Sequence, residues 1–417
     1  MYMADRDDQL ADVMQVATEA GHIMLENGAE IFRVEETMER ITRHYGIDSG
    51  RFFVLSNGIL TSGGTRYSNV EFIPFKGAQL EKVVAVNRLS RAIEKGGCSI
   101  QEARERLSEI KNMKAKPFLE QVMGSAVGSG AFCAIFGGSY LDCAASFVTG
   151  LLLYVFVLMV SRRGMSKIVT NILGSILATT LSVVFMRIGF GEHPGNMIIG
   201  SLIPLIPGVP FTNGIRDLAN EDYIAGSTRM IDALTVFFCI AAGVALTFLV
   251  DGRIENGIIV LNGMQTSPET AGWFVQAISA FLGTVGFAVL YGVPRREYIH
   301  ASVCSTIGWV AYLAMLRVAN ATVIESTFVA TLVVVLVSRF MAVDRKCPVI
   351  VFQICGVFPL IPGAGIFWTV YYIVNKELSV AITTGFTALG MAVAIVLGII
   401  FMTSLPGRMF KIVRKKA

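Results

Sequence analysis

Ten apolar stretches, each about as long as a membrane-spanning helix, limit what this chain can fold into more than any other feature. A helix needs about 20 apolar residues to cross the hydrocarbon core of a bilayer. Hydrocarbon offers no hydrogen bonds to the backbone, so these stretches must be helical. The sequence therefore predicts an α-helical polytopic membrane protein with ten transmembrane helices, at residues 120–139, 141–160, 168–188, 196–215, 231–250, 272–292, 299–318, 322–341, 348–371 and 380–404.

The distribution of charge divides the chain near Pro117. Residues 1–116 contain 33 charged residues, and the remaining 301 residues also contain 33. The first part has the composition of a soluble domain, whereas the second has that of a membrane protein. We expect a small α+β cytosolic domain at 1–116 and a first five-helix membrane repeat at 117–250. A second repeat is expected at 272–405, followed by a basic cytoplasmic tail at 406–417.

The positions of lysine and arginine predict the orientation of the membrane part. With ten crossings, fifteen of these residues fall in the short loops and tail on the side of the N-terminal domain, and four fall on the opposite side. Cytoplasmic loops carry an excess of Lys and Arg. The pattern predicts a multi-pass protein of the cell membrane (inner or plasma membrane) with both termini in the cytoplasm.

A five-residue motif occurs twice and indicates an internal repeat. Residues 204–208 read PLIPG, and the same letters recur at 359–363, an offset of 155 residues. At this offset the first five apolar stretches superpose on the last five. Because five is odd, the two halves must cross the membrane in opposite directions. The sequence thus predicts two inverted five-helix repeats, a design found in many secondary transporters.

Each PLIPG motif falls inside an apolar stretch, the fourth and the ninth, and should break that helix. Each proline removes a backbone donor and clashes with the preceding turn. Such breaks are tolerated where protein or a wet cavity supplies partners, and symmetric breaks point to a substrate site. The alternative is a pair of kinked helices packed for shape alone. The candidate substrate-binding residues are Pro204, Pro207, Gly208, Thr212, Asn213, Gln353, Pro359, Pro362, Gly363, Trp368 and Thr369.

Three acidic residues near the ends of apolar stretches are candidates for proton coupling or gating: Asp217, Asp232 and Glu325. Asp217 follows Arg216, and these two residues are expected to form a pair at the cytoplasmic end of their helix, with gating as the alternative. Asp232 and Glu325 lie just inside their segments, where ionisable residues can relay protons. The alternative for both is a carboxylate that reaches the headgroup region.

Several other classes of function lack their sequence signals. No basic stripe with interleaved aromatic residues suggests nucleic acid, and the seven cysteines show no spacing typical of a metal site. A nucleophile motif and the phosphate-binding loop of an ATPase are also missing. We therefore expect neither an enzyme nor a metal or cofactor. The expected partners are a small-molecule substrate, protons and the lipid bilayer, and a homo-oligomer is left open.

Two stretches resemble the threonine/serine exporter family. Residues 206–217 (IPGVPFTNGIRD), continuing into 222–226 (DYIAG), are similar to the family's signature, and residues 25–35 (LENGAEIFRVE) are similar to its cytosolic domain. The second apolar half, with the motif at 359–363, resembles the smaller membrane module that some members carry as a separate chain. The resemblance covers nearly the whole sequence and implies a fused form.

The resemblance implies export of threonine and serine driven by the proton gradient. Related two-component members are linked to export of succinate, so a dicarboxylate exporter is the alternative substrate class. Our leading hypothesis is a secondary transporter that exports a small polar metabolite by alternating access. A rival of another class is a membrane sensor whose cytosolic domain binds a ligand, although signalling does not require an inverted repeat.

Overall fold

A computed structural model describes residues 2–64, 67–254 and 271–405. The chain forms two compact units. Unit 1 contains Met1–Ala115, Val209–Ile231 and Tyr291–Pro294, and unit 2 contains Lys116–Gly208, Asp232–Leu290 and Arg295–Ala417. Residues 209–231, which the sequence assigns to the first membrane repeat, therefore belong to the same unit as the N-terminal residues.

Four helices of unit 1 come from the N-terminal part: α1 (Tyr2–Glu26), α2 (Ile31–His44), α3 (Leu80–Glu94) and α4 (Ile100–Lys111). Gly28 adopts a φ of +90°, which allows the sharp turn between the first two helices. The apolar residues of α2 recur at helical spacing and are buried. At the start of α4, the Ser99 hydroxyl accepts a hydrogen bond from the Glu102 N–H at 3.2 Å, as predicted for a capping residue.

Three antiparallel strands lie between α2 and α3. They are β1 (Arg51–Leu55), β2 (Gly58–Gly63) and β3 (Tyr67–Phe72), in the order β1-β2-β3. The register pairs Val54 with Ile59 and Ile59 with Glu71. Val54 and Ile59 are fully buried, and α1 lies against the central strand. The sheet and the first helix therefore share one apolar core.

Unit 1 also contains two segments from later in the chain. One comprises most of α9 (Gly208–Ala219) and the first turns of α10 (Tyr223–Ile254). The other is Tyr291–Pro294. In this segment the carbonyls of Tyr291 and Gly292 accept hydrogen bonds from the N–H groups of Leu80 and Glu81 at 3.1 and 2.7 Å. The first N–H groups of a helix have no partner within the helix, so these two carbonyls cap the start of α3.

Unit 2 is built from long apolar helices. Among the described residues, nine helical stretches are long and apolar enough to cross a membrane, or ten if one bent pair counts as a single span. The chain is therefore an α-helical polytopic membrane protein. The remaining helices are α5 (Phe118–Ile135), α6 (Tyr140–Arg162), α7 (Lys167–Arg187), α8 (Pro194–Leu202), α11 (Trp273–Leu290), α12 (Tyr298–Arg317), α13 (Val323–Arg345), α14 (Val349–Val357), α15 (Gly363–Val374) and α16 (Leu378–Thr403).

The two PLIPG motifs interrupt the helical path in the same way. After α8, a 3-10 turn spans Ile203–Leu205 and Ile206 is extended before α9 begins, with a bend of 64° across the break. After α14, a 3-10 turn spans Phe358–Leu360 and Ile361 is extended before α15 begins. Ile206 and Ile361 share the same dihedral angles, φ −62° and ψ 129°. The same five residues thus produce the same backbone twice.

The element boundaries also follow the 155-residue offset. Helices α5, α8 and α9 each begin and end 155 residues before α11, α14 and α15, respectively. The helices α10 and α16 begin at Tyr223 and Leu378, which are separated by the same interval. The repeat seen in a few letters of the sequence therefore extends to the secondary structure of each half.

Helices α5 and α11, which correspond under this offset, pack tightly and in opposite directions. A methyl group on Gly128 would lie 2.9 Å from the Phe287 ring, and one on Gly283 would lie 2.7 Å from the Phe132 ring. Nearer the C-terminal end of α5, the Gln276 amide donates to the carbonyl of Ile135 at 3.1 Å. Residues later in α5 contact residues earlier in α11, so the two helices are antiparallel.

These contacts are also reciprocal under the repeat. Gly128 corresponds to Gly283, and Phe132 corresponds to Phe287. Each phenylalanine therefore packs on the glycine of the other helix, and the two rings meet edge to face with centroids 5.3 Å apart. Reciprocal contacts of this kind are what a twofold axis between two similar halves produces.

We predict that Gly286→Ala destabilises the packing of α5 on α11. The added methyl group would overlap the carbonyl oxygen of Gly124 on the facing helix, and the backbone there cannot give way. Overpacking of this kind costs about 1–3 kcal/mol of unfolding free energy. Denaturant titration of the purified protein in detergent measures the loss. Gly272→Ala is the control, because nothing lies within 4 Å of a methyl group there. Equal stability of the two variants would contradict the prediction.

Candidate functional site

Six of the candidate substrate-binding residues form the two breaks in unit 2. At the first break, the N–H of Gly208 donates to the carbonyl of Ile206 at 2.8 Å. At the second, the N–H of Gly363 donates to the carbonyl of Ile361 at 2.7 Å. These tight turns satisfy some of the backbone groups that the prolines release. The first N–H groups of the following helices point away from their own helices, which suits them to bind a negative group.

The two breaks meet each other within unit 2. A methyl group on Gly363 would lie 2.5 Å from Cδ1 of Ile206. The extended residue of the first break thus lies against the glycine of the second. The ring of Phe358, in the 3-10 turn of the second break, lies 4.3 Å from that of Phe287 and 5.6 Å from that of Phe132. The breaks are therefore continuous with the aromatic contact between α5 and α11.

Trp368 forms part of an aromatic wall beside the breaks. A methyl group on Gly195 would lie 2.9 Å from the Trp368 ring, so the indole packs on the start of α8. Tyr371 and Phe248 join it in an apolar cluster with residues of α7, α8 and α10. The hydroxyl of Thr369 donates to the Gly365 carbonyl one turn earlier at 2.7 Å. The Trp368 ring is thus packed within this cluster, and the Thr369 hydroxyl is already engaged.

Gln353 is the most unusual polar side chain of the second half. It is fully buried in α14, and neither its amide oxygen nor its amide nitrogen has a hydrogen-bond partner in the part of the chain that the structure describes. Leaving a buried amide unpaired costs free energy unless a ligand or water completes it. Gln353 can donate one hydrogen bond and accept another, so it can contact both an acidic and a basic group of a bound molecule.

Thr212, Asn213 and Asp217 lie in unit 1, where they belong to a buried polar cluster. The Asn213 amide donates to the Gly28 carbonyl at 2.8 Å. The Asp217 carboxylate accepts the N–H of Ile31 at 3.2 Å. The Thr212 hydroxyl is buried without a partner among the described residues. The side chains of Asn213 and Asp217 thus hold the turn between α1 and α2.

Two buried ion pairs complete this cluster. Arg229 lies 2.6 Å from the Asp217 carboxylate and also donates to the Ala29 carbonyl at 2.9 Å. Arg216 forms an ion pair with Glu30. The expectation that Arg216 and Asp217 pair with each other is wrong, because neighbouring side chains on a helix diverge and each finds a separate partner. The stretches at 25–35 and 206–217, which both resemble family segments, are therefore bonded to one another.

Asp232 and Glu325, the other two acidic candidates, each have a local partner. Lys167 lies 2.7 Å from the Asp232 carboxylate in an exposed pair. Glu325 accepts the Thr322 N–H at 2.8 Å, and the Thr322 hydroxyl accepts the Glu325 N–H, which makes a capping box at the start of α13. Asp232 thus belongs to an exposed ion pair, and Glu325 caps the start of its helix.

Sequence reasoning missed Asp142 and His193. The Asp142 carboxylate is fully buried at the start of α6, where it accepts the N–H groups of Ser139, Glu192 and His193 at 2.7, 2.7 and 3.0 Å. It also lies 2.8 Å from Nδ1 of His193. The carboxylate thus fixes the residue directly before α8, the first broken helix. The sequence shows only an aspartate at a segment end, which does not differ from an ordinary interfacial residue.

The repeat places a similar contact in the other half. Glu297 is the counterpart of Asp142 at the 155-residue offset, and it is also buried. Its carboxylate accepts a hydrogen bond from Arg345 Nε at 3.1 Å, and Arg345 ends the helix before α14. In both halves an acidic residue anchors the chain shortly before the broken helix.

The described residues contain no group of three or more His, Cys, Asp or Glu side chains that could hold a metal ion. The charged clusters of both units are instead made of ion pairs and hydrogen bonds. These contacts position the backbone.

We predict that Arg229→Gln strongly destabilises unit 1. Asp217 has a side chain that is fully buried, and the variant would leave its charge without its cation. Removing one partner of a buried pair costs about 3–5 kcal/mol, whereas an exposed pair contributes less than about 1 kcal/mol. Chemical denaturation of the full-length protein measures the change, with Arg106→Gln as the exposed control. The double variant Asp217→Asn/Arg229→Gln should recover part of the loss. A single variant no weaker than the control would contradict this account.

Comparison with known proteins connects both halves to exporters. The chain is 22% identical to a threonine/serine exporter of Corynebacterium glutamicum over 94% of its length and 82% of that protein. It is 20% identical to a probable threonine/serine exporter of Mycobacterium tuberculosis, over 93% of this chain and 75% of the relative. A probable succinate transporter subunit, YjjP of Klebsiella aerogenes, is 24% identical over 58% of this chain and 96% of the subunit. No solved structure matches the chain.

Two family models match in succession along the sequence. The model described as "Putative threonine/serine exporter" matches residues 15–250, which is more than half of the chain. The model described as "Threonine/Serine exporter, ThrE" matches residues 276–405. The two matches correspond to the two halves of the repeat, the first together with the N-terminal part. The chain belongs to the threonine/serine exporter family.

Proposed function

We propose that this protein exports threonine or serine from the cytoplasm as a secondary transporter. The observation that carries the proposal is the meeting of two identical helix breaks, at Ile206 and Gly363, inside unit 2. Breaks at matching positions of two repeats are where secondary transporters bind their substrates. The family membership and the relatives named as threonine/serine exporters support the substrate class.

The proposed architecture is an inverted repeat. The antiparallel, reciprocal packing of α5 on α11 supports it, because a twofold axis that relates antiparallel helices runs perpendicular to them. If these helices cross the bilayer, that axis lies in the membrane plane and the halves are upside down relative to each other. Alternating access would then exchange the conformations of two similar halves around the breaks.

The proposed substrate contacts are the helix N-terminus after the second break and the amide of Gln353. A threonine carboxylate suits the N–H groups at the start of α15, which carry the positive end of the helix dipole. Its ammonium suits the carbonyl groups released at the breaks and the unpaired oxygen of Gln353. Trp368 would limit the size of the side chain. Asn213 is engaged within unit 1, so we do not assign it a substrate contact.

A succinate exporter is the second candidate, since one relative is named as a succinate transporter subunit. A dicarboxylate needs two positive features. The segments around the breaks, 194–208 and 349–374, contain neither lysine nor arginine, so the charge of the second carboxylate would be unbalanced there. This composition favours a zwitterionic amino acid.

Proton coupling is proposed to involve the Asp142–His193 pair. In the proposed orientation this pair lies on the outer side of the membrane, from which protons enter. Histidine is the side chain that changes charge near neutral pH. Its protonation would strengthen the contact with Asp142 and hold the start of the first broken helix. Asp232 and Glu325 are engaged in surface contacts and have structural roles in this scheme.

Replacing Pro207 and Pro362 together with alanine should abolish export. Each alanine restores a backbone donor and permits a straighter helix, which would remove the turn at each break. Efflux of radiolabelled threonine and of succinate from proteoliposomes is the measurement. The protein should remain inserted and monodisperse. Pro194→Ala, at the first turn of α8 where proline is well tolerated, is the control. Undiminished threonine flux in the double variant would overturn the assignment of the site.

His193→Gln should flatten the dependence of export on external pH. Glutamine keeps a hydrogen bond to Asp142 but has no charge change near neutral pH. Flux should be measured in proteoliposomes of defined orientation with the external pH varied from about 5.5 to 8. Asp232→Asn, which alters only an exposed pair with Lys167, serves as the control and should keep the normal profile. If the histidine variant retains the full pH dependence, coupling lies elsewhere.

A further inference from the structure

A polar pocket of about 320 Å³ lies in unit 1, away from the buried ion pairs. One wall is a face of α1, whose residues at 15, 18, 19 and 22 recur at helical spacing. The other wall is β3, whose residues at 67, 69 and 71 alternate onto one face of the strand. The end of α4 contributes Lys111. The eight lining residues are all polar: Gln15, Thr18, Glu19, His22, Tyr67, Asn69, Glu71 and Lys111.

The polar lining is unusual for its place in the fold. Tyr67, Asn69 and Glu71 are paired with Gly63, Thr61 and Ile59, and so lie on the sheet face that carries the buried Ile59. A sheet face that packs against a helix is ordinarily apolar. Here the central strand follows that rule, but the edge strand presents hydrogen-bonding groups to the flank of α1. Packing against α1 does not by itself require polar residues at these positions of β3.

A second observation points to a ligand. Thr61, the cross-strand neighbour of Asn69, is 3% exposed, and its hydroxyl has no hydrogen-bond partner among the described residues. A buried hydroxyl is normally paired with protein or with ordered water. Because Thr61 lies next to the lining residue Asn69 on the same sheet face, its hydroxyl is a further polar group at this corner of the fold.

The ionisable groups of the pocket lie in two close pairs. His22 Nδ1 lies 2.7 Å from Glu71 Oε1, and Lys111 Nζ lies 3.3 Å from Glu19 Oε1. The end of α4 is fixed as well, because the Lys82 ammonium donates to the Lys111 carbonyl at 2.9 Å. Two carboxylates, an ammonium and an imidazole therefore line a space of about 320 Å³, which fits a small molecule.

We propose that this pocket is a regulatory site for a small zwitterionic α-amino acid. The ligand's ammonium would bind Glu71, and its carboxylate would bind Lys111. Asn69, Gln15 and Thr18 are available to a side-chain hydroxyl. A dicarboxylate would place two negative charges near Glu19 and Glu71, which is unfavourable. The identification of the amino acid as threonine or serine rests on the proposed function, whereas the pocket and its charge pattern do not.

Binding of threonine to the full-length protein in detergent, measured by calorimetry, tests the proposal. We use the Pro207→Ala/Pro362→Ala background so that the transport site does not contribute. Glu71→Gln should weaken binding at least tenfold, because it removes the charge that receives the ammonium. Asn69→Phe, at an exposed position, should also weaken binding by filling the pocket. Glu102→Gln, on the exposed face of α4, is the matched control and should bind normally.

Probe molecules test the chemical class. Threonine methyl ester, which lacks the carboxylate, and 2-hydroxybutyrate, which lacks the ammonium, should each bind at least tenfold more weakly than threonine. Succinate should compete poorly. The proposal is overturned if the proline background binds no amino acid, if both pocket variants bind as well as the control, or if succinate binds as tightly as threonine.

A parallel flux measurement separates this proposal from the transport function. Glu71→Gln should still export threonine, with an altered dependence on the threonine concentration at the cytoplasmic side. If the unaltered protein exports no amino acid but binding remains sensitive to Glu71→Gln, the pocket stands and the proposed function fails. If export is normal and the pocket variants leave its concentration dependence unchanged, the regulatory role fails and the proposed function stands.

Discussion

A broken helix in a hydrocarbon phase must have its released backbone groups buried, and this requirement shapes unit 2. Each PLIPG motif frees donors and acceptors that lipid cannot satisfy. Part of the demand is met locally, by the tight turns that close on Ile206 and Ile361. The two breaks also lie against each other, with Gly363 providing room for Ile206. The surrounding helices then serve to exclude lipid, and Phe132, Phe287 and Phe358 fill the remaining space.

The same physical logic explains the charged cluster of unit 1. Buried charges cost solvation energy, so Asp217 and Glu30 are each matched by an arginine, and Asp217 also accepts the N–H of Ile31. This cluster contributes little net stability compared with an apolar core of the same volume. The cluster instead fixes geometry, because each hydrogen bond sets the position of the turn between α1 and α2 relative to α9.

Features that depend on residues close together in the chain were predictable from the sequence. The breaks follow from prolines three residues apart, and the strands follow from alternation between Gly-containing turns. The repeat was visible because both copies keep the same five letters. The partners of Arg216 and Asp217 were not predictable, because Glu30 lies 186 residues before Arg216 and a charged helix face looks like a solvated surface. The pocket was hidden for the same reason, since the polar face of α1 has the spacing of any amphipathic helix.

An inverted repeat alone does not set the direction of transport, because exchanging the two halves gives the same arrangement. Export therefore requires chemistry that differs between the two copies. The anchors before the broken helices differ in this way: the Asp142 carboxylate lies 2.8 Å from His193 Nδ1, whereas its counterpart Glu297 accepts a hydrogen bond from Arg345 and lies 3.5 Å from His300 Nδ1. An arginine keeps its charge at every physiological pH, so its contact is insensitive to the proton gradient. In the proposed orientation, the His193 contact faces the side from which protons arrive. In the proposed scheme, the different partners of the two anchors link the direction of transport to the direction of the gradient.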